Sequence, residues 1–256
     1  MNKAKSSIYG PLILLVLLVL LWEYGPGLVG MPEYILPRLS KVMRVYFDAA
    51  VVKLYAWNTY VTLKEAVFGL LIGGGLGFVT GVLLTESRVL FNTIYPYIVA
   101  LQCMPKVAIA PLLIVWFGFG LTSKVTIVAL LCFFPILVNT ISGIRSVGSE
   151  NVELFRAIRA SRLKTLYHLL IPSALPSILT GVEIAVVVSL LGAIVGEFVG
   201  AEEGVGVLLL QAQFQMNTPA VFALLGVLAL LGVIFNVALR VIRRKSLFWI
   251  AGESGK

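Results

Sequence analysis

Stretches of about 20 mostly apolar residues, the length that crosses a bilayer core as a helix, recur along the whole chain at 8–22, 57–84, 89–115, 125–144, 178–199 and 219–239. Hydrophobic residues make up 59% of the chain and charged residues only 12%, an apolar share above that of a water-soluble domain. The expected fold is therefore all-α: a polytopic membrane protein with about six transmembrane helices. Residues 1–256 form one membrane domain with its core over 57–245, rather than a soluble domain on an anchor.

The formal net charge of +8 does not point to nucleic acid, because Lys and Arg collect on the cytoplasmic side of membrane proteins. Six spans put both termini on one side. With that side cytoplasmic, the inner segments hold Lys3, Lys5, Arg88, Arg145, Arg156, Arg159, Arg162, Lys164, Arg240, Arg243, Arg244 and Lys245, and the outer loops hold far fewer cations. The first stretch begins as a signal peptide does, but it runs into Trp22, Glu23 and Tyr24 rather than a small-residue cleavage site, so it reads as a retained span. Cys103 and Cys132 lie in apolar stretches without a second ligand type, which predicts packing residues and neither a disulfide nor a metal site.

The second stretch carries Gly69, Gly73, Gly74, Gly75, Gly77 and Gly81, which let a neighbouring backbone approach closely. The third contains Pro96, Pro105 and Pro111, each removing a backbone donor, and such breaks are tolerated only against protein or a cavity. Gln102, Met104 and Lys106 fall in that broken stretch and are candidates to line a pathway. Charges inside spans are costly and tend to mark pathways, which adds Glu197 near the outer end of the fifth span. The alternative for Lys106 is snorkelling to the interface; for Glu197, and for Glu183 near the inner end, it is an interfacial position. Between the first two spans, Val42, Val45, Tyr46 and Ala49 recur at helical spacing after Ser40, predicting a short amphipathic helix on the outer surface with Ser40 as its cap.

The segment 146–176 is too long for a simple connector. Ser149 or Asn151 is placed to cap a short helix through Ile158. Ser161 is placed to cap a second through Leu170, stopped before Pro172. Two short helices joined by a turn make a docking surface. Its Arg156, Arg159 and Arg162 stripe faces either an acidic protein surface or anionic lipid headgroups.

Within this segment the chain reads ELFRAIRAS from Glu153 and LLIPSALPSI from Leu169. This resembles the cytoplasmic loop of binding-protein-dependent permeases of ATP-binding-cassette (ABC) importers, in which a Glu-Ala-Ala start is followed by glycine and a hydrophobic-x-Leu-Pro end. Leu154 and Phe155 stand where the family has alanines and Arg159 where it has glycine. An arginine there either takes a left-handed conformation at a cost of about 1 kcal/mol or lets the helix run on. ILPRLSKV, PKVAIAPLLIVWFGFG, FFPILVNTISGIRSV and GEFVGAEEGVGVLL extend the likeness to the subfamily importing nitrate, sulfonates, taurine, bicarbonate or cyanate, and thiamine or riboflavin precursors.

The resemblance implies a non-catalytic permease subunit of a bacterial inner (cytoplasmic) membrane importer. It further implies two copies of a separate ATPase that carries ATP and Mg, an extracytoplasmic substrate-binding protein and a second copy of the permease. The coupling element would comprise Glu153, Leu154, Phe155, Arg156, Ile158, Arg159, Ala160 and Ser161. The chain itself has no Gly-x-x-x-x-Gly-Lys-[Ser/Thr] phosphate cradle, so no bound cofactor is expected. The main alternative, a stand-alone channel or ion-coupled secondary transporter, predicts an internal repeat, and none is visible. A membrane enzyme would need clustered catalytic side chains, whereas the single histidine, His168, lacks a companion.

Overall fold

A computed structural model describes residues 3–247. The helices run α1 (Lys3–Leu28), α2 (Leu39–Arg44), α3 (Ala49–Glu86), α4 (Arg88–Cys103), α5 (Ala110–Phe117), α6 (Leu121–Arg145), α7 (Ser149–Ala157), α8 (Arg162–Thr165), α9 (Ile171–Gly200), α10 (Val205–Phe214) and α11 (Thr218–Ser246). Five of the spans are continuous, and α4 with the segment Lys106–Phe117 forms a sixth bent by 82°. This is the expected all-α membrane architecture. Helix α3 starts well before residue 57 because the Asp48 carboxylate accepts the Ala50 N–H at 2.9 Å and caps it.

The centre is a three-helix seam of α3, α6 and α9. Ala66, Val128, Cys132, Ile136, Ala185 and Ala193 are buried together there, and the Cys132 thiol donates to the Ala185 carbonyl at 3.3 Å. A Cβ added at Gly73 would overlap the Ala129 carbonyl, and one at Gly77 the Phe133 carbonyl. Two turns of α3 thus lie directly on the backbone of α6, a contact that lipid cannot drive and only small side chains permit. Inside α6, Pro135 leaves the helix continuous.

At the end of the seam that the expected orientation makes the outer one, α2, α10 and α11 form a second packed layer. Val42, Tyr55, Val205, Leu209, Ala223 and Leu224 meet there, the Trp22 indole donates to the Pro37 carbonyl at 3.1 Å, and the Tyr46 hydroxyl donates to the Ala223 carbonyl at 2.6 Å. The amphipathic helix expected after Ser40 is present, but it starts two residues earlier, with Arg38 at the cap position and no side-chain cap. Ser40 is instead tied to α1, its N–H and hydroxyl donating to the Glu23 carboxylate at 2.8 Å each. A carboxylate is the stronger acceptor, and it draws Ser40 away from its own backbone.

A further difference lies at Pro172. The helix begun at Ser161 does not stop there: α8 passes through one wide turn, Leu166–Leu170, into α9, with the Ile171 N–H donating to the Leu166 carbonyl. Such an i→i+5 turn makes room for the proline ring and needs no donor from it. The result is one apolar helix from Arg162 to Gly200.

Candidate functional site

Two constellations carry polar chemistry, one at each end of the seam. At the inner end, α7 leaves α6 through Ser146–Gly148 and begins without the side-chain cap expected from Ser149 or Asn151; Gly148 holds the cap position. Its other end is sharply defined. Arg159 takes φ = 54°, its N–H donates to the Arg156 carbonyl at 2.9 Å, and the Ala160 N–H donates to the Phe155 carbonyl at 2.9 Å. These two bonds make a Schellman cap with arginine in the position glycine usually fills. The left-handed alternative is therefore realised, and the helix does not run on. Ser161 then caps α8 as expected, its hydroxyl accepting the Lys164 N–H at 3.3 Å.

The corner sorts the expected coupling residues. Glu153, Leu154, Arg156, Ile158 and Arg159 are exposed, whereas Phe155 and Ala160 are half-buried against the protein and Ser161 is engaged in its cap. Leu154 and Ile158, 60% and 67% exposed, lie one helical turn apart and form an apolar step unpartnered among the described residues. His168 is exposed and its ring Nδ1 lies 3.1 Å from the Lys164 carbonyl. On the inner third of the seam Glu183 pairs with Arg243 at 2.8 Å, both about 40% exposed.

In the broken span only one of the three prolines makes a break. Pro96 lies inside α4 and Pro111 in the first turn of α5, where a missing N–H has no intrahelical partner to lose. The chain turns at Met104 and Pro105. Gln102 and Met104 are exposed at this elbow. Lys106 folds back, its ammonium donating to the Gln102 carbonyl at 3.0 Å and resting 4.5 Å from the centre of the Phe134 ring. Its charge thus covers the carbonyl end of α4.

Glu197 belongs to an outer cluster that sequence reasoning missed. One carboxylate oxygen accepts the Thr62 hydroxyl at 2.6 Å and the other the Gly206 N–H at 2.6 Å. Thr62 in turn accepts the Val205 N–H at 2.9 Å, and Asn58 the Gly204 N–H at 2.6 Å. Beside them Lys124 pairs with Glu65 at 3.3 Å. Glu65 and Glu197 are each 1% exposed and Lys124 6%, so the cluster is closed off from solvent except where Glu65 and Lys124 border a neighbouring cavity. The first turn of α10 presents its free N–H groups to these acceptors, as a helix N-terminus does to an anion. Gly204 has φ = 123°, and a Cβ there would overlap the Glu197 carboxylate, which accounts for the glycine. The signal for Glu65 was present in the sequence, as a carboxylate inside the second apolar stretch; Lys124 stood one residue outside the fourth. Among the described residues, no group of His, Cys, Asp and Glu is placed to hold a metal ion.

The chain matches the family described as binding-protein-dependent transport system inner membrane component over residues 63–247. It is 35% identical to the formylaminopyrimidine transport permease protein ThiX of Halalkalibacterium halodurans, over 93% of this chain and 95% of that protein. It is 36% identical to the riboflavin transport system permease protein RibX of Chloroflexus aurantiacus, over 93% and 89%. The fold superimposes on a chain of the inward-facing MetNI methionine ABC transporter with a TM-score of 0.70 at 20% identity, covering 78% of this chain and 99% of that one. A six-span architecture, a capped helical corner between two spans and these matches converge on one assignment: the chain belongs to the binding-protein-dependent transport system inner membrane component family and is an ABC transporter permease.

Proposed function

We propose that two copies of this chain form the translocation pathway of an importer, in which α7 docks into a separate ATPase that binds ATP and Mg. Both termini lie in the cytoplasm, and an extracytoplasmic binding protein delivers the substrate to the opposite face. The observation that carries this reading is the α7 corner. It is a nine-residue helix closed by the Arg159 cap, and it exposes Leu154 and Ile158, which nothing among the described residues covers. An apolar step of this kind on a cytoplasmic corner fits a groove in a partner protein. ATP-driven closure of two such partners would draw the two corners together and tilt the spans between two states.

The substrate range runs from small sulfonates, taurine among them, to vitamin precursors such as formylaminopyrimidine and riboflavin, following the transport names of similar permeases. Replacing both Leu154 and Ile158 with aspartate tests the coupling. The variant should reach the membrane in normal amounts and fail to co-purify the ATPase encoded with it. Full ATPase recovery would overturn the assignment.

A further inference from the structure

Beside the Glu183–Arg243 pair, α9 and α11 leave a groove between them that has two chemically different parts. Away from the C-terminal end of α11 it is a narrow apolar trough of about 120 Å³, walled by Val186, Val187 and Leu190 on α9 and by Gly232 and Phe235 on α11. Toward that end it widens into a polar mouth of about 270 Å³ lined by Glu183, Asn236, Arg240 and Arg243. Glu183, Asn236 and Leu239 border both parts, so trough and mouth are continuous. A Cβ added at Gly232 would meet nothing within 4 Å. The glycine therefore leaves a notch in the trough that no side chain among the described residues fills.

The charges at the mouth are unequal. The Arg243 guanidinium donates to the Glu183 carboxylate at 2.8 Å, and this pair bridges the two helices. Arg240 donates to the neutral Asn236 side-chain oxygen at 3.3 Å, and Arg244 stands exposed one helical turn further on. Among the described residues neither Arg240 nor Arg244 has a carboxylate partner. The mouth thus has net positive charge and spare guanidinium donors, which match the two free oxygens of a phosphodiester. A cationic mouth opening into an apolar trough at the end of a membrane-spanning helix fits an anionic lipid. Free phosphate would leave the trough uncovered, and a second copy of the chain seated here about a two-fold axis would set the arginines against themselves.

We propose that the α9–α11 groove binds one anionic glycerophospholipid, its phosphate held by Arg240 and Arg244 and one acyl chain laid along the trough past Gly232. The proposal rests on the permease reading for the leaflet alone: with both termini cytoplasmic, the lipid belongs to the inner leaflet.

The test is native mass spectrometry of the full-length permease purified with its ATPase, stripped of lipid in detergent and titrated with dioleoylphosphatidylglycerol or with its zwitterionic counterpart dioleoylphosphatidylcholine. One phosphatidylglycerol per permease chain should bind, about tenfold more tightly than phosphatidylcholine. Arg240→Ala/Arg244→Ala should weaken that binding about thirtyfold, the loss of two cations at a lipid headgroup, whereas Arg88→Ala/Lys164→Ala, which removes two cations elsewhere, should leave it unchanged. Gly232→Leu fills the notch without altering a charge or meeting a neighbour, and should weaken binding about fivefold. Equal affinity for the two lipids, equal losses in the two double variants, undiminished binding in Gly232→Leu, or displacement by a large excess of inorganic phosphate would overturn the proposal. A permease dimer that binds no lipid would overturn it too and give the groove to the second copy. Bound lipid is counted per permease chain whether or not the ATPase stays attached, so failure here is distinguishable from failure of the coupling assignment, which is read from ATPase recovery with the Leu154→Asp/Ile158→Asp variant.

Discussion

The two ends of the α3–α6–α9 seam handle polar groups in opposite ways. At the outer end, Asn58, Thr62, Glu197 and the amides of Gly204 to Gly206 satisfy one another inside the protein. At the inner end, Glu153, Arg156 and Arg159 stand in the open around an uncovered Leu154 and Ile158. The outer arrangement holds one chain together, and the inner one leaves apolar side chains uncovered among the described residues. Charge alone does not distinguish them; burial does, because a charge out of water needs its partner while a solvated one does not.

The largest effect should come from breaking the outer ion pair. Lys124→Met leaves Glu65 buried and uncompensated, and should cost about 3–5 kcal/mol, read as lowered thermal stability of the purified permease in detergent. The Glu65→Leu/Lys124→Met double variant should recover most of that loss, since replacing a whole buried pair is often close to neutral. Arg156→Met, the matching change at the inner end, should shift stability by no more than about 0.5 kcal/mol. Equal losses at positions 124 and 156 would erase the contrast.

A smaller effect is expected from Glu197→Gln. The amide retains one acceptor oxygen for either Thr62 or Gly206 but turns a donor toward the other, for a loss of about 2 kcal/mol. Crosslinking between cysteines at positions 62 and 206 would show whether the start of α10 stays docked; undiminished stability and crosslinking together would demote Glu197 to a packing residue.

An effect smaller than that of Glu197→Gln has the opposite sign. Arg159 and Met216 both hold left-handed backbone, φ = 54° and 53°, and both close a helix with the same pair of bonds, Met216 and Asn217 donating to the Gln213 and Ala212 carbonyls at 3.0 and 2.9 Å. Glycine at either position should raise stability by up to about 1 kcal/mol by removing the side-chain penalty. A gain at Met216 with a loss at Arg159 would mean that the arginine side chain makes contacts that offset its backbone strain.

The spans were legible because a run of 20 apolar residues admits few alternatives, and the corner was legible because Ser161 and the charge pattern mark it locally. The outer cluster was not. Its members come from residues 58 to 206 and are joined by hydrogen bonds across more than a hundred positions, while each one alone reads as an ordinary interfacial polar residue. The break in the third span was over-read for a related reason. Proline removes a donor wherever it stands, but the consequence depends on the turn it occupies: Pro111 falls where no donor was needed, and Pro172 where a widened turn absorbs it.

That widened turn joins the α7 corner to the opposite end of the seam. From Arg162 to Gly200 the chain is one 39-residue helix, a rod of about 58 Å. Its inner tip follows directly on the Arg159 corner, and its outer tip carries Glu197, clamped to α3 and to the start of α10. A displacement applied at the corner has no flexible joint in which to dissipate before it reaches that clamp. Under the proposed coupling, torque on α7 would reach the other end as rotation of the whole rod about its seam with α6, where Gly181 and Gly192 leave no slack: a Cβ at either would stand 2.8 Å from an α6 side chain.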